Sequence, residues 1–198
     1  MAALRAALAS RPAMRADPGA AFPRASVALL LRPGEDGAEL LLIRRAEREG
    51  DPWSGHVALP GGRAQKDDAD AAATAARETR EEVGIDVTAD GELLGALDEV
   101  APRSARAPGI VVAPFVYAVR ASVEARPNEE VQEAVWVPVD ELRRPGAATE
   151  YLYAMGDGSH LTFPAFDARG YVVWGLTHRI LTGFLELDAQ VEAEEKGS

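Results

Sequence analysis

Residues Gly61 to Ile85 read GGRAQKDDADAAATAARETREEVGI: a two-glycine turn, a loop rich in aspartate, and an alanine-rich helix that carries Arg77, Glu78, Glu81 and Glu82. Residues three and four apart stand on one side of a helix, so Glu78, Glu81 and Glu82 can turn their carboxylates toward a common spot. Three like charges there repel unless a cation joins them. Hard oxygen donors suit Mg²⁺ or Mn²⁺, ions that keep several waters and take further ligands from a phosphate. Glycine at 61 and 62 lets the backbone approach the same metal or phosphate. The competing reading is a solvated helix face with intrahelical pairs to Arg77 and Arg80. The adjoining Pro60-Gly61-Gly62 turn and the strands before it favour a divalent-metal site that acts on phosphate anhydrides. Ala71, Ala72, Ala73, Ala75 and Ala76 give the helix high propensity and a slim side for packing on a sheet, and Gly84 ends it.

The whole chain bounds this expectation. Its 198 residues and 47% hydrophobic content suit one globular domain with a buried core. A formal charge of -11 argues against a broad nucleic-acid surface. A small anionic nucleotide can still bind through metal and a few arginines. There is no cysteine, so disulfides, thiolate chemistry and zinc-thiolate sites are excluded. No stretch has the length of an apolar membrane span, so neither nucleic acid nor membrane is expected as a partner.

In chain order, residues 1–22 are expected as an extension with a short helix ending near Pro12, since Leu4 and Leu8 share a helical face. Its alanine- and arginine-rich composition also matches a mitochondrial transit peptide, though packing on the domain is the better reading. Ser26 to Arg32 and Glu39 to Arg45 are expected strands, joined around Pro33–Gly37 by a loop a little too long for a tight turn. Arg44 and Arg45 at the strand end can meet phosphates through charge-assisted hydrogen bonds; a solvated charged loop is the alternative. Trp53 stacks on a base or caps the core, and His56 has no partner visible in the sequence. Glu92–Leu97, Ile110–Val119 and Glu133–Val137 are further strands, the second central because it is almost continuously apolar. The breaker-rich link Asp98–Gly109 is a candidate substrate loop through Arg103 or Arg106. A hairpin is expected about Gly156-Asp157-Gly158, then a last helix from Val173 to Leu187 and an acidic disordered tail over residues 189–198. The pattern gives an α+β domain over residues 23–188, with a mixed sheet between helices.

The run Gly61-Gly62, then Arg77-Glu78-Thr79-Arg80-Glu81-Glu82-Val83-Gly84-Ile85, resembles the Nudix box of the Nudix hydrolases. Two departures stand out: Thr79 replaces an apolar residue, and the Gly62-to-Arg77 spacing is one residue longer than usual. Ala69 falls where the family often has its first glutamate, and adjacent Asp70 is the candidate substitute. The resemblance implies an α/β/α sandwich, with Glu78, Glu81, Glu82 and the Gly62 carbonyl holding Mg²⁺ or Mn²⁺. It also implies that Arg77 orients the glutamates. Glu129 or Glu130 would complete the metal site or act as base. Arg44, Arg45, Gly61 and Arg103 are the expected substrate contacts. A lengthened box without its first glutamate, together with Trp174-Gly175-Leu176-Thr177, resembles the coenzyme A pyrophosphatase branch. That implies coenzyme A or an acyl derivative as substrate. Another nucleoside diphosphate derivative is the alternative, and a non-catalytic ligand sensor is the reading from a different class. A homodimer and a cytoplasmic location complete the expectations.

Overall fold

The apolar runs around Leu29 and Leu41 form the middle of the sheet in the computed structural model, which describes residues 1–16, 22–50, 53–102, 109–155 and 158–197. Helix α1 (Ala2–Ser10) precedes strands β1 (Arg24–Gly34), β2 (Gly37–Arg45), β3 (Val57–Ala58) and β4 (Gly61–Arg63). Helices α2 (Ala71–Val83) and α3 (Val87–Asp90) follow, then β5 (Gly91–Ala96), β6 (Val111–Val119) and β7 (Val131–Pro138). Helix α4 (Val139–Arg143), strands β8 (Ala148–Ala154), β9 (His160–Ala168) and β10 (Tyr171–Trp174), and helix α5 (Gly175–Gly197) complete the order.

The large sheet runs β3-β2-β1-β6-β5, with β4 also paired to β1 and β7 to β2. It is mixed, because β1 and β6 are parallel while β1 and β2 are antiparallel. Side chains alternate across a strand, so the unbroken apolar runs feed two cores. Leu29, Leu31, Leu40 and Leu42 pack with Leu4 and Leu8 of α1 and Ile180, Leu181 and Phe184 of α5. Ala28, Leu30, Leu41 and Ile43 pack on the opposite face with Ala75 and Val83 of α2. The result is a three-layer α/β/α sandwich of α+β class, as expected. A smaller antiparallel sheet, β10-β9-β8, stands beside it.

Three expectations are corrected. The β1–β2 connection is a tight turn, since pairing continues through Pro33 with Ala38 to Gly34 with Gly37, and Gly37 takes φ +131°. Val173 and Trp174 belong to β10, paired with Phe166 and Ala165; the helix begins at Gly175, whose φ is +68°. The segment expected as a disordered tail continues α5 as far as Gly197. Arg143 of α4 fastens it through ion pairs to Asp188 and Glu192, and Val191 is buried. Helix α1 packs on the domain, with Leu4 and Leu8 in the main core. Helix α3 was not anticipated; Asp86 caps it by accepting from the Thr88 and Ala89 N–H groups. The β8–β9 hairpin forms with Tyr151 opposite Phe163, while Gly156 and Asp157 of its expected turn lie outside the described residues. No described helix is long and apolar enough to cross a membrane.

Because Leu8 is buried, Leu8→Ala should cost about 2–4 kcal/mol in denaturant unfolding. Exposed Leu152→Ala should stay within about 0.5 kcal/mol of the parent. An unchanged midpoint for Leu8→Ala would mean that α1 does not contribute to the core.

Candidate active site

The site is assembled where the glycine turn passes beneath α2. Strand β4 pairs antiparallel with β1, placing Gly61 opposite Val27 and Gly62 opposite Ser26. Gly61 has φ +153°, and a side-chain carbon there would lie 2.6 Å from the Val27 Cα, so only glycine suits the position. At Gly62 a Cβ would meet both oxygens of Glu78 at 2.6 Å. The Glu78 carboxylate therefore rests directly against the Gly62 backbone. Helix α2 is held over the turn at both ends. Asp70 caps its start by accepting from the Ala73 N–H, and left-handed Gly84 closes its end with a hydrogen bond to the Arg80 carbonyl.

Glu82 lies on the sheet side of α2 and is only 2% exposed. Its Oε2 accepts from the Gly61 N–H at 2.8 Å, and the Arg45 guanidinium lies 4.0 Å from Oε1. Gly61 was expected to contact substrate, but its N–H is thus engaged by Glu82. Arg77 ties the other carboxylates together, at 2.9 Å from Glu78 and 3.0 Å from Glu81. Its remaining donors reach the Arg63 carbonyl and the carboxylate of Asp68. The orienting role expected for Arg77 has a matching geometry. The helix face does not close into a cage, however. Among the described residues no three carboxylate or imidazole side chains gather tightly enough to hold an ion between them. Glu81 is half exposed, drawn outward to Arg77.

Asp68 is the site residue that sequence reasoning missed. It accepts from Arg77 through both oxygens, at 2.9 and 3.1 Å, and also from the Thr74 hydroxyl and the Gln65 N–H. Asp70, the residue singled out beforehand, is spent on the helix cap. Counting back from Arg77 along the helix pointed to Ala69 and its neighbour Asp70. The signal that would have found Asp68 is the pair Asp67-Asp68 ahead of the cap, where the loop folds back beside Arg77.

Alternation separates the two arginines of β2. Arg45 faces α2 and Glu82, whereas the Arg44 guanidinium lies 5.5 Å from the Tyr171 ring centre. Arg44 thus packs against the smaller sheet, away from the carboxylates. Glu130 precedes β7 and pairs with Arg48 at 3.0 Å; its charge is felt by both Glu78 and Glu82. Glu129 makes no contact that draws it into the site. Arg103 and Arg106 lie outside the described residues. Trp53 is half-buried, and its carbonyl accepts from the His56 N–H. His56, partnerless in sequence, lies against Trp174 and Tyr151 at 4.9 and 6.2 Å between ring centres.

Electrostatically the site is short of positive charge. Burial raises the Glu82 pKa to about 7; Glu78 and Glu130 push the same way, while the Gly61 hydrogen bond and Arg45 oppose them. Burial also raises Glu78, against the pull of Arg77. Asp68 is the reverse: its hydrogen bonds from Arg77 hold it well below the usual carboxylate range. The donors fit a hard divalent cation in kind. All are oxygens, and the backbone of Gly62 carries no side chain that would intrude. A carboxyl raised from 4.5 to about 7 makes the folded protein the better proton binder between those values. Its contribution to stability is complete below pH 4.5 and is lost as pH rises through about 7, at most about 3 kcal/mol. In metal-free buffer, Glu82→Gln should therefore melt above the parent at pH 8, with the gap closing toward pH 4. A gap independent of pH would show that Glu82 titrates as an ordinary carboxylate.

Comparison with known proteins identifies the family. The family model described as the NUDIX domain matches residues 22–155. An uncharacterised Nudix hydrolase, NudL, of Pectobacterium atrosepticum is 34% identical over 146 residues, 71% of each chain. An uncharacterised protein of Schizosaccharomyces pombe is 37% identical over 131 residues, 64% of this chain and 40% of that protein, so the chain spans two fifths of that relative. Among solved structures, a MutT/nudix family protein from Enterococcus faecalis superposes with a TM-score of 0.54 at 18% identity, covering 91% of this chain and 66% of that one; it shows a shared fold. With the family model spanning most of the chain and its glycine turn and glutamate helix folded together as described, this protein belongs to the Nudix family.

Proposed function

We propose that the chain hydrolyses the pyrophosphate bond of a nucleoside diphosphate derivative with Mg²⁺ or Mn²⁺. The substrate we assign is coenzyme A or an acyl derivative, split to 3',5'-ADP and a 4'-phosphopantetheine product. One observation carries the reaction class: a buried carboxylate, Glu82, set beside Glu78 over the Gly61-Gly62 turn with too little positive charge to balance it. A structural role alone would favour an amide or an apolar side chain there, because burying an uncompensated charge is costly.

Glu78 and Glu82, the Gly62 carbonyl and Glu81, once turned from Arg77, would hold the ion. When bound, it neutralises phosphate oxygens and lowers the pKa of an attacking water. Arg45 is placed to meet a phosphate oxygen with a charge-assisted hydrogen bond. Arg77, held by Asp68, keeps Glu78 against the turn. Glu130 stands near Glu78 and Glu82 without belonging to α2, which makes it a candidate to receive the proton from water.

The assignment to coenzyme A rests on the lengthened box and on Trp174-Gly175-Leu176-Thr177, which forms the junction from β10 into α5. Another nucleoside diphosphate derivative is the alternative substrate, and a ligand sensor on the same fold is the alternative class. A cytoplasmic homodimer acting on a free nucleotide completes the proposal.

Mass spectrometry of products, after incubation with Mg²⁺ and a mixture of coenzyme A, NADH, ADP-ribose and diadenosine polyphosphates, tests it directly. Release of 3',5'-ADP from coenzyme A alone supports the full assignment. Cleavage of another compound moves the specificity, and no cleavage of any overturns the reading in favour of a sensor. Glu82→Gln should lower turnover by about a hundredfold or more. Loss of the Arg77 anchor in Asp68→Asn should cost about 10- to 100-fold. Asp70→Asn should keep near-parental turnover, since asparagine caps a helix as well as aspartate does. Equal losses in Asp68→Asn and Asp70→Asn would point to helix stability as the common cause.

A further inference from the structure

Beside the carboxylate site the smaller sheet presents a strip of rings that the reaction proposed above does not use. Tyr151 and Trp174 stack with centres 4.2 Å apart and planes 13° from parallel. Phe163 lies 5.4 Å from Trp174, Tyr153 lies 5.7 Å from it, and His56 closes the near end at 4.9 Å. All five side chains are half-buried, so each keeps part of its surface open to solvent, where a ligand can reach it. Strand pairing sets Tyr151, Tyr153 and Phe163 on one face of the hairpin, while Leu152 points from the other and is 63% exposed.

The strip is continuous with the site through β3. His56 directly precedes that strand, and its carbonyl accepts from the Arg45 N–H at 3.0 Å. Arg45 in turn faces Glu82, and two residues beyond β3 the chain enters the Gly61 turn. A ligand with phosphates at Arg45 would have the rings within reach of its next group, because Arg45 and His56 are neighbours across the β2–β3 pairing. Flat rings, two of them already parallel, select a further flat ring over an aliphatic chain, because a stack extends by adding one more layer.

We infer that His56, Tyr151 and Trp174, backed by Tyr153 and Phe163, form a stacking subsite for the base of the nucleotide substrate. This inference rests on the nucleotide reading above, and its test is read from binding without turnover, so the two can fail separately. Calorimetry on the full chain with Mg²⁺ should show AMP binding more tightly than ribose 5-phosphate, which carries the same phosphate without a base. Tyr151→Leu should weaken AMP by roughly threefold to tenfold and leave ribose 5-phosphate unchanged. Tyr151→Phe should retain the preference, as should Leu152→Ser on the opposite face. On the parent protein, saturation of aromatic resonances should transfer to the adenine protons of AMP more strongly than to its ribose protons. The inference is overturned if Tyr151→Leu binds AMP as the parent does, if it loses both ligands equally, or if transfer favours the ribose. It also falls if sedimentation shows a parental dimer that Tyr151→Leu dissociates, for then a second copy of the chain covers the strip. Hydrolysis of no compound, with the base preference intact, would leave this subsite standing and remove only the catalytic reading.

Discussion

Everything at the site depends on one buried carboxylate held against one glycine turn. Glu82 reaches from α2 to the Gly61 N–H because β4 is pinned to β1 directly beneath the helix. That contact fixes the height of α2 over the sheet and the path of the chain through Gly62. It also leaves a negative charge in a place where water cannot compensate it, and burial answers by raising the pKa of the group to about 7. Strongly perturbed carboxyls of this kind cluster at functional sites.

The second layer of the site is a division of labour between acids. Glu82 is buried and short of partners, Glu81 is half exposed, and Glu78 lies between them against the Gly62 backbone. Asp68 is different in kind: it is 8% exposed yet fully supplied with donors from Arg77, Thr74 and Gln65. Its charge is balanced, so it serves as an anchor. Through Arg77 it sets where Glu78 and Glu81 stand.

The smaller sheet brings a different chemistry to the same edge. Its hairpin carries aromatic side chains on one face, and its last strand delivers Trp174 beside β3 before Gly175 turns the chain into α5. Tyr171 on that strand also engages Arg44 and donates to Glu133 at 2.7 Å, which fastens the two sheets together. The carboxylates of α2 and the aromatic side chains of the hairpin thus lie on neighbouring parts of one surface, joined through β3.

The sequence by itself determined the layered α+β fold and the glycine–glutamate signature. Apolar runs at Ser26–Arg32 and Glu39–Arg45, short and separated by turn residues, read as strands. Alanine-rich 71–76 with a terminal Gly84 can hardly be anything but a helix. Both signals are local, set by period and propensity. Tertiary structure decided what local pattern cannot carry. Alternation along β2 gave Arg45 to the site and took Arg44 to the other face. Loop geometry chose Asp68 over Asp70 as the partner of Arg77, because a helix cap claims the residue directly before the helix whatever else it could do. The order of the tail came from Arg143, 45 residues before Asp188, and the partners of His56, Tyr151 and Trp174, came from strands far downstream in the chain. Such contacts depend on where distant segments meet in space, which no short window of the sequence records.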